Sequence, residues 1–222
     1  MASQSSDLIE QYKIVHAQSQ YGRSAKTHRA AIQACIVELK PYSIVEYGCG
    51  RSRLCDDLEY NEASYVRFDP AIPGIDVLTA SKADLVINTD VLEHIPRAEV
   101  DALLEKIAAL GNRVFFNIST RLASEVLPNG ENAHCTVLPA EEWLEILLPH
   151  FPDAELVHIN PKESCLILTW HSNVASIIFD LEELKMQARH YKMKSRSVLR
   201  KLEKQLRIVK DKFLNPAKFH RP

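Results

Sequence analysis

Glycine is scarce in this chain, with six among 222 residues, so two glycines separated by one residue stand out from the background. Cysteine is sparse as well. Cys35, Cys49, Cys55, Cys135 and Cys165 show no CxxC spacing and are odd in number. That pattern argues against a disulfide framework or a cysteine zinc site, and for free thiols in a reducing compartment. No run of about 18 apolar residues occurs, so no membrane-spanning helix is expected. The opening segment MASQSSDLIE lacks the basic start and apolar centre of a secretory signal, and the expected location is the cytoplasm. Internal repeats and low-complexity tracts are also missing.

What is present is an ordinary globular composition, 46% hydrophobic and 25% charged, with enough chain for one full core and a small appendage. The net charge of −2 averages two opposed regions. Residues 185–222 hold 13 Lys or Arg against two acids, Glu203 and Asp211, a net +11 that leaves −13 on the rest. An acidic body carrying a basic tail is a polarised molecule. The expected division is a body over residues 1–176 and a basic amphipathic helical extension over 177–222.

Apolar spacing predicts a helix over 24–39, ended by Pro41, and a buried strand over 43–47 that runs into Gly48. A short helix over 54–60 and strands over 65–68 and 85–88 follow. Residues 97–110 form a helix with Leu103, Leu104, Ile107 and Leu110 on one stripe, stopped by Gly111. A strand over 113–118 leads into a loop over 119–138. Pro139 then opens a helix whose first turn carries Glu141 and Glu142. Strands near 154–159 and 165–170 close the body as a hairpin. Alternating strands and helices with a terminal hairpin make an α/β fold, mostly parallel with an antiparallel end. Between Pro70 and Asp84 the chain is too short for a helix, a strand and a loop together. Either the helix is missing there or the strand over 75–78 is rudimentary.

The glycine pair is Gly48-Cys49-Gly50, at the end of the first strand. A strand entering such a turn and leaving as a helix points backbone N–H groups at a ligand, and glycine lets the chain turn sharply and approach closely. Glu46 stands at the mouth of the strand, where a carboxylate can face an amine-bearing ligand. Asp69 ends the next strand, where an acid can hold two ribose hydroxyls. A nicotinamide dinucleotide site uses the same turn but wants a third small residue at position 53, which is Arg.

With these residues in place the chain resembles the class I, Rossmann-like methyltransferases that use S-adenosylmethionine (SAM). The family's acid-x-G-x-G motif corresponds to Glu46, Tyr47, Gly48, Cys49 and Gly50, and its acid after the second strand to Asp69. The segment DLVINTDVLEHIP, residues 84–96, is similar to the fourth-strand motif of the quinone and small-molecule O-methyltransferase subgroup. The resemblance covers residues 20–171. It implies a seven-stranded sheet with a reversed last strand, with SAM over the Gly48–Gly50 turn, Asp69 at the ribose, and Thr89, Asp90 and Val91 beside the cofactor. S-adenosylhomocysteine (SAH) would be the product. In related enzymes an amino-terminal segment covers the cofactor, which makes Tyr21 and Arg23 candidate contacts; packing of a helix cap is the alternative for both.

For the chemistry, His134 is the candidate general base, since its loop follows the 113–118 strand and ligands bind beyond the carboxyl ends of parallel strands. A loop histidine that bonds backbone or positions Glu142 is the plainer alternative. His94, Asn117, Thr120 and Arg121 are candidate acceptor contacts, with packing at the sheet edge the stronger alternative for His94; Arg51 and Arg121 could meet an anionic group, solvated surface positions being the usual alternative. No HxxxH pair or clustered Asp triad accompanies Glu93-His94, so no metal is expected. The reading is O-methylation of a small or carbohydrate-like acceptor, such as an envelope glycan or glycolipid. N-methylation of a small amine and a non-catalytic SAM-binding scaffold are the alternatives.

From residue 177 to 213 apolar residues recur at three- or four-residue spacing among Lys and Arg. Such a helix can pack on the acidic body, lie on an anionic membrane surface at the inner face, bind a partner protein, or pair in a homodimer. It carries few aromatics, which disfavours nucleic acid. Position 222 is also a place where a further domain could follow.

Overall fold

The structure, a computed structural model, describes residues 3–18, 24–190 and Lys204. At its centre lie strands β1 (Ser43–Tyr47), β2 (Ser64–Phe68), β3 (Leu85–Thr89), β4 (Val114–Ser119), β5 (Glu155–Asn160) and β6 (Ser164–Leu168), in the spatial order β2-β1-β3-β4-β6-β5. The first four are parallel. β6 runs antiparallel between β4 and β5, so the reversed closing hairpin is present as the sequence predicts.

The central strands are apolar on both faces, as strands covered by helices on each side must be. Ile44, Leu85, Ile87 and Phe115 enter one core with α2 (Arg29–Leu39) and α6 (Ala175–His190). Their neighbours Val45, Val86, Val114 and Phe116 enter the other with α4 (Arg97–Leu110) and α5 (Ala140–Leu147). Trp143 of α5 is fully buried there. Each such large side chain contributes about 1.5–3 kcal/mol of apolar transfer.

Among the described residues the sheet has six strands rather than seven. The one that would lie outside β2 is missing because it would need a crossover of a dozen or more residues on each side of it, whereas residues 69–84 alone join β2 to β3. Residues between Asp69 and Asp84 instead fold into turns, in which Ile72 donates to the Asp69 carbonyl, Ile75 to that of Ile72, and Asp69 to that of Ile75. β2 is therefore an edge strand. The helix predicted over 54–60 is only the single turn α3 (Leu54–Asp57). Beyond it Gln33 captures the backbone of Glu59, accepting its N–H at 2.8 Å. The helix predicted over 24–39 divides into a 3₁₀ segment, Ser24–His28, and α2.

Helix α1 (Ser3–Gln18) is an addition that the sequence reading did not contain. It is held by tertiary contacts to the 119–138 loop. Val15 packs with Leu127 and Ala133, and the Gln11 amide oxygen accepts the Asn129 N–H. At the other end of the body, Ile178 and Leu181 of α6 are fully buried, which docks the first turns of the basic extension on α2. Tyr21, Arg23 and nearly all of the tail beyond His190 lie outside the described residues.

Glu182 of α6 is buried beside Lys185 at 2.6 Å and the His28 ring at 3.7 Å. Burial opposes its ionisation, but the His28 and Lys185 contacts outweigh burial and hold its pKa down at about 2. A carboxyl depressed in this way stabilises the fold above its unfolded pKa near 4.5, and the contribution is lost as pH falls toward 2. Glu182→Gln should therefore cost about 2–3 kcal/mol at neutral pH. The gap between wild type and variant in chemical denaturation should be flat above pH ~5 and shrink below it. A gap independent of pH would show that the charge contributes nothing.

Candidate functional site

The turn after β1 is fixed by its own donors. Gly48 and Cys49 N–H both donate to the Phe68 carbonyl, at 2.8 and 3.0 Å. Gly50 N–H donates to Asp69 Oδ2 at 2.8 Å, while Asp69 Oδ1 accepts Ala71 N–H at 2.9 Å. Gly48 and Gly50 have φ of +72° and +53°, the left-handed region that favours glycine. At Gly48 a Cβ would also come within 2.5 Å of Val91 Cγ2. Asp69 is thus held at the end of β2, buried to 7% exposure. Glu46 lies one step below the turn, buried, and accepts the Tyr65 hydroxyl at 3.0 Å. Burial raises its pKa, against the pull of the Ser52 and Tyr65 hydroxyls and the Arg67 charge. The Tyr47 ring packs edge-on against Phe68 at 4.9 Å.

Two cavities open at the carboxyl ends of the parallel strands, where an α/β sheet places its ligands. The smaller, about 120 Å³, is mostly apolar and is lined by Leu8, Ile9 and Tyr12 of α1 together with Asp69, Ala71 and Val91. The larger, about 430 Å³, is polar, and Thr89, Asn117, Ser119, Arg121, His134 and Asn160 are among its walls. Gly48, Asp90 and His94 line both, so they form the neck between them. Asp90 takes φ +54° and accepts the Asn117 amide on Oδ1 at 2.6 Å. That bond joins β3 to β4 across the neck.

Of the residues singled out in the sequence, Gly48, Gly50, Asp69, Thr89, Asp90, Val91, His94, Asn117, Arg121 and His134 reach one cavity or both. Glu46 and Tyr47 line neither. Thr120 faces a separate depression with Pro139 and Lys162. Arg121 sits at the rim, paired to Glu163 at 2.9 Å, which offsets its charge.

Two histidines meet at the neck with rings 4.7 Å apart, edge to face. His134 Nδ1 lies 2.6 Å from the Arg121 carbonyl. A carbonyl only accepts, so Nδ1 carries a proton, and in the neutral ring Nε2 holds the lone pair. His94 Nδ1 lies 2.8 Å from the Ala133 carbonyl and 2.7 Å from the Tyr12 hydroxyl, which itself donates to that carbonyl at 2.8 Å. The same reasoning assigns the Nδ1–H tautomer there. Burial pushes the His94 pKa down to about 4, so the ring is neutral at physiological pH. Beside them Glu93 is fully buried. Its Oε1 accepts Ser119 N–H at 2.9 Å, and its Oε2 has no hydrogen-bond partner. Burial, then the Asp90 charge, raises its carboxyl well above the usual range.

Tyr12 lines the smaller cavity and Glu93 lies against the two histidines, and neither stood among the candidates drawn from the sequence. His134 comes 40 positions after His94, and only the side-by-side ends of β3 and β4, with Thr89 opposite Asn117, bring the two together. Tyr12 belongs to the unanticipated α1.

No protein-family model matches the chain, and no curated protein matches it in sequence. Solved structures do. A 1,6-didemethyltoxoflavin-N1-methyltransferase from Burkholderia thailandensis, determined with 1,6-didemethyltoxoflavin and S-adenosylhomocysteine bound, is similar at 16% identity. The match covers 76% of this chain and 89% of that one, with a TM-score of 0.50. An O-methyltransferase family protein from the same organism is similar at 11% identity and a TM-score of 0.50, over 68% of this chain and 57% of that one. The likeness is one of fold: this chain has the Rossmann-like architecture of class I SAM-dependent methyltransferases.

Gly48→Ala should lower stability by about 1–3 kcal/mol, because it adds a strained φ to a contact with Val91. The double variant with Val91→Ala should recover the steric part and keep the backbone part. Thermal unfolding checks both; a single variant as stable as wild type would contradict the packing described.

Proposed function

We propose that this protein is a SAM-dependent methyltransferase acting on a hydroxyl of a small or carbohydrate-like acceptor. The observation that carries the reading is the neck, where a mostly apolar pocket and a polar cleft meet at Gly48, Asp90 and His94. A cofactor with an adenosine at one end and a reactive methyl toward the other needs such a pair of chambers. Asp69, which lines the small pocket with Ala71 and Val91, would accept both ribose hydroxyls, with Ala71 and Val91 against the base. The sulfonium then lies near Asp90, whose negative charge suits it.

The reaction is an in-line displacement. The acceptor oxygen forms a bond to the methyl carbon, the carbon–sulfur bond breaks, and its electron pair stays on sulfur to give SAH. Sulfur is a good leaving group, so alignment and exclusion of water supply most of the acceleration. The acceptor proton goes to a base, and His134 Nε2 carries a lone pair in the cleft wall. Asn117, Ser119, Ser124, Asn160 and Ser164 give that cleft a hydrogen-bonding lining that suits a polyhydroxylated molecule.

Isothermal titration of the full chain should show one equivalent of SAH bound, and Asp69→Ala should weaken it by about 10-fold or more. Wild type that binds neither SAM nor SAH would overturn the reading. His134→Ala should keep SAH affinity within about twofold yet lower label transfer from methyl-labelled SAM to a panel of polyols by about 10²–10⁴-fold. Unchanged transfer would remove His134 from the chemistry, and label found only on amines would replace the hydroxyl acceptor.

The charge split supports a second part of the proposal, in which the tail brings this acidic body to an anionic membrane surface. In flotation, the full chain should rise with vesicles containing phosphatidylglycerol, and the chain without residues 191–222 should not. Equal behaviour of the two forms would contradict a role for the tail.

A further inference from the structure

We infer that Glu93, His94 and His134 form a binding site for a divalent first-row transition cation at the neck between the two cavities. One ligand atom from each lies within 4.8 Å of the others, and all three residues are buried. Ligand bonds of about 2.0–2.2 Å to a common centre would draw these atoms closer together.

Three further observations converge on a cation. Glu93 is fully buried, and one of its oxygens is unpartnered. Among the described residues no Lys or Arg forms an ion pair with Glu93 or with Asp90, three positions earlier. Buried carboxylates are costly unless a cation or a full set of donors answers them. Both histidines also turn Nδ1 toward a backbone carbonyl, that of Arg121 for His134 and of Ala133 for His94. This is the outer contact that fixes a metal-binding imidazole, orienting Nε2 and raising its basicity.

Two imidazoles and one carboxylate suit Mn²⁺, Fe²⁺, Co²⁺ or Zn²⁺ better than Mg²⁺ or Ca²⁺, which take oxygen ligands. Three protein ligands leave coordination positions open, and His94 and His134 both border the polar cleft. The catalytic consequence rests on the methyl-transfer reading above. An acceptor hydroxyl bound to the cation loses its proton to solvent near neutral pH, and the resulting oxyanion takes the methyl group. With the cation bound, His134 Nε2 is a ligand and solvent takes the proton; in the cation-free protein that lone pair is the base of the reaction above.

The test uses Mn²⁺ and the full chain after dialysis against a chelator, with free Mn²⁺ followed by electron paramagnetic resonance. One equivalent should bind, and Glu93→Gln and His134→Gln should each weaken it by about 10–100-fold. His171→Ala, at an exposed position, should change nothing. SAH titration of the same variants reports whether they are folded. Wild type alone gives a second readout: Zn²⁺ should shift the Nε2 resonances of His94 and His134 while their Nδ1 protons persist. No saturable binding of either ion, or binding untouched by both ligand variants, would overturn the inference. Failure of SAH to bind wild type would sink the methyl-transfer reading and leave the cation site standing.

Discussion

The constraint on which the site depends is the seam between β1 and β2 at their carboxyl ends. Two consecutive N–H groups, from Gly48 and Cys49, converge on one carbonyl, that of Phe68, and Gly50 N–H takes the carboxylate that follows it. Those bonds require left-handed backbone at both glycines. They also set how near Val91 can come, because the turn presents no side chain where Gly48 meets it. Had the turn relaxed, Asp69 would lose a donor and the neck between the cavities would have no fixed width.

Around that seam the molecule divides its chemistry by position. Strand ends β1 and β2, with α1 over them, build an apolar chamber. Strand ends β3 and β4, with the loop that follows, build a polar one. The Asp90–Asn117 bond holds the second pair together much as the Phe68 carbonyl holds the first. Buried titratable groups collect on the polar side: Glu93, His94 and His134 lie within one small volume, and each imidazole turns Nδ1 toward a backbone carbonyl. Buried groups of this kind cost stability, and their placement at the mouth of a cleft is the strongest local argument that the cleft acts on something.

Much of this was legible in the sequence because it obeys local rules. The Gly48-Cys49-Gly50 turn, the acid at Asp69 and the strand entering Asp90 are short-range patterns with a backbone reason behind each. The missing seventh strand was half legible, since thirteen residues between Pro70 and Asp84 are too few for a helix, a strand and a loop together. What escaped is non-local. Glu46 looked like a cavity residue from its spacing, yet the pleat turns it toward Tyr65 and away from both chambers. Thr120 follows β4 directly but faces another depression. Glu93 and His94 carried no metal spacing in sequence because their partner His134 arrives from a different loop. α1 stays in place through contacts to the 119–138 loop, and no local pattern announces those.

The most direct measurement is a crystal structure of the full chain grown with SAH. The ribose should lie at Asp69, the adenine between Ala71 and Val91, and the sulfur at Gly48, with the homocysteine end entering the polar cleft. SAH bound elsewhere on the surface, or a neck that saturating SAH leaves unfilled, would contradict this placement.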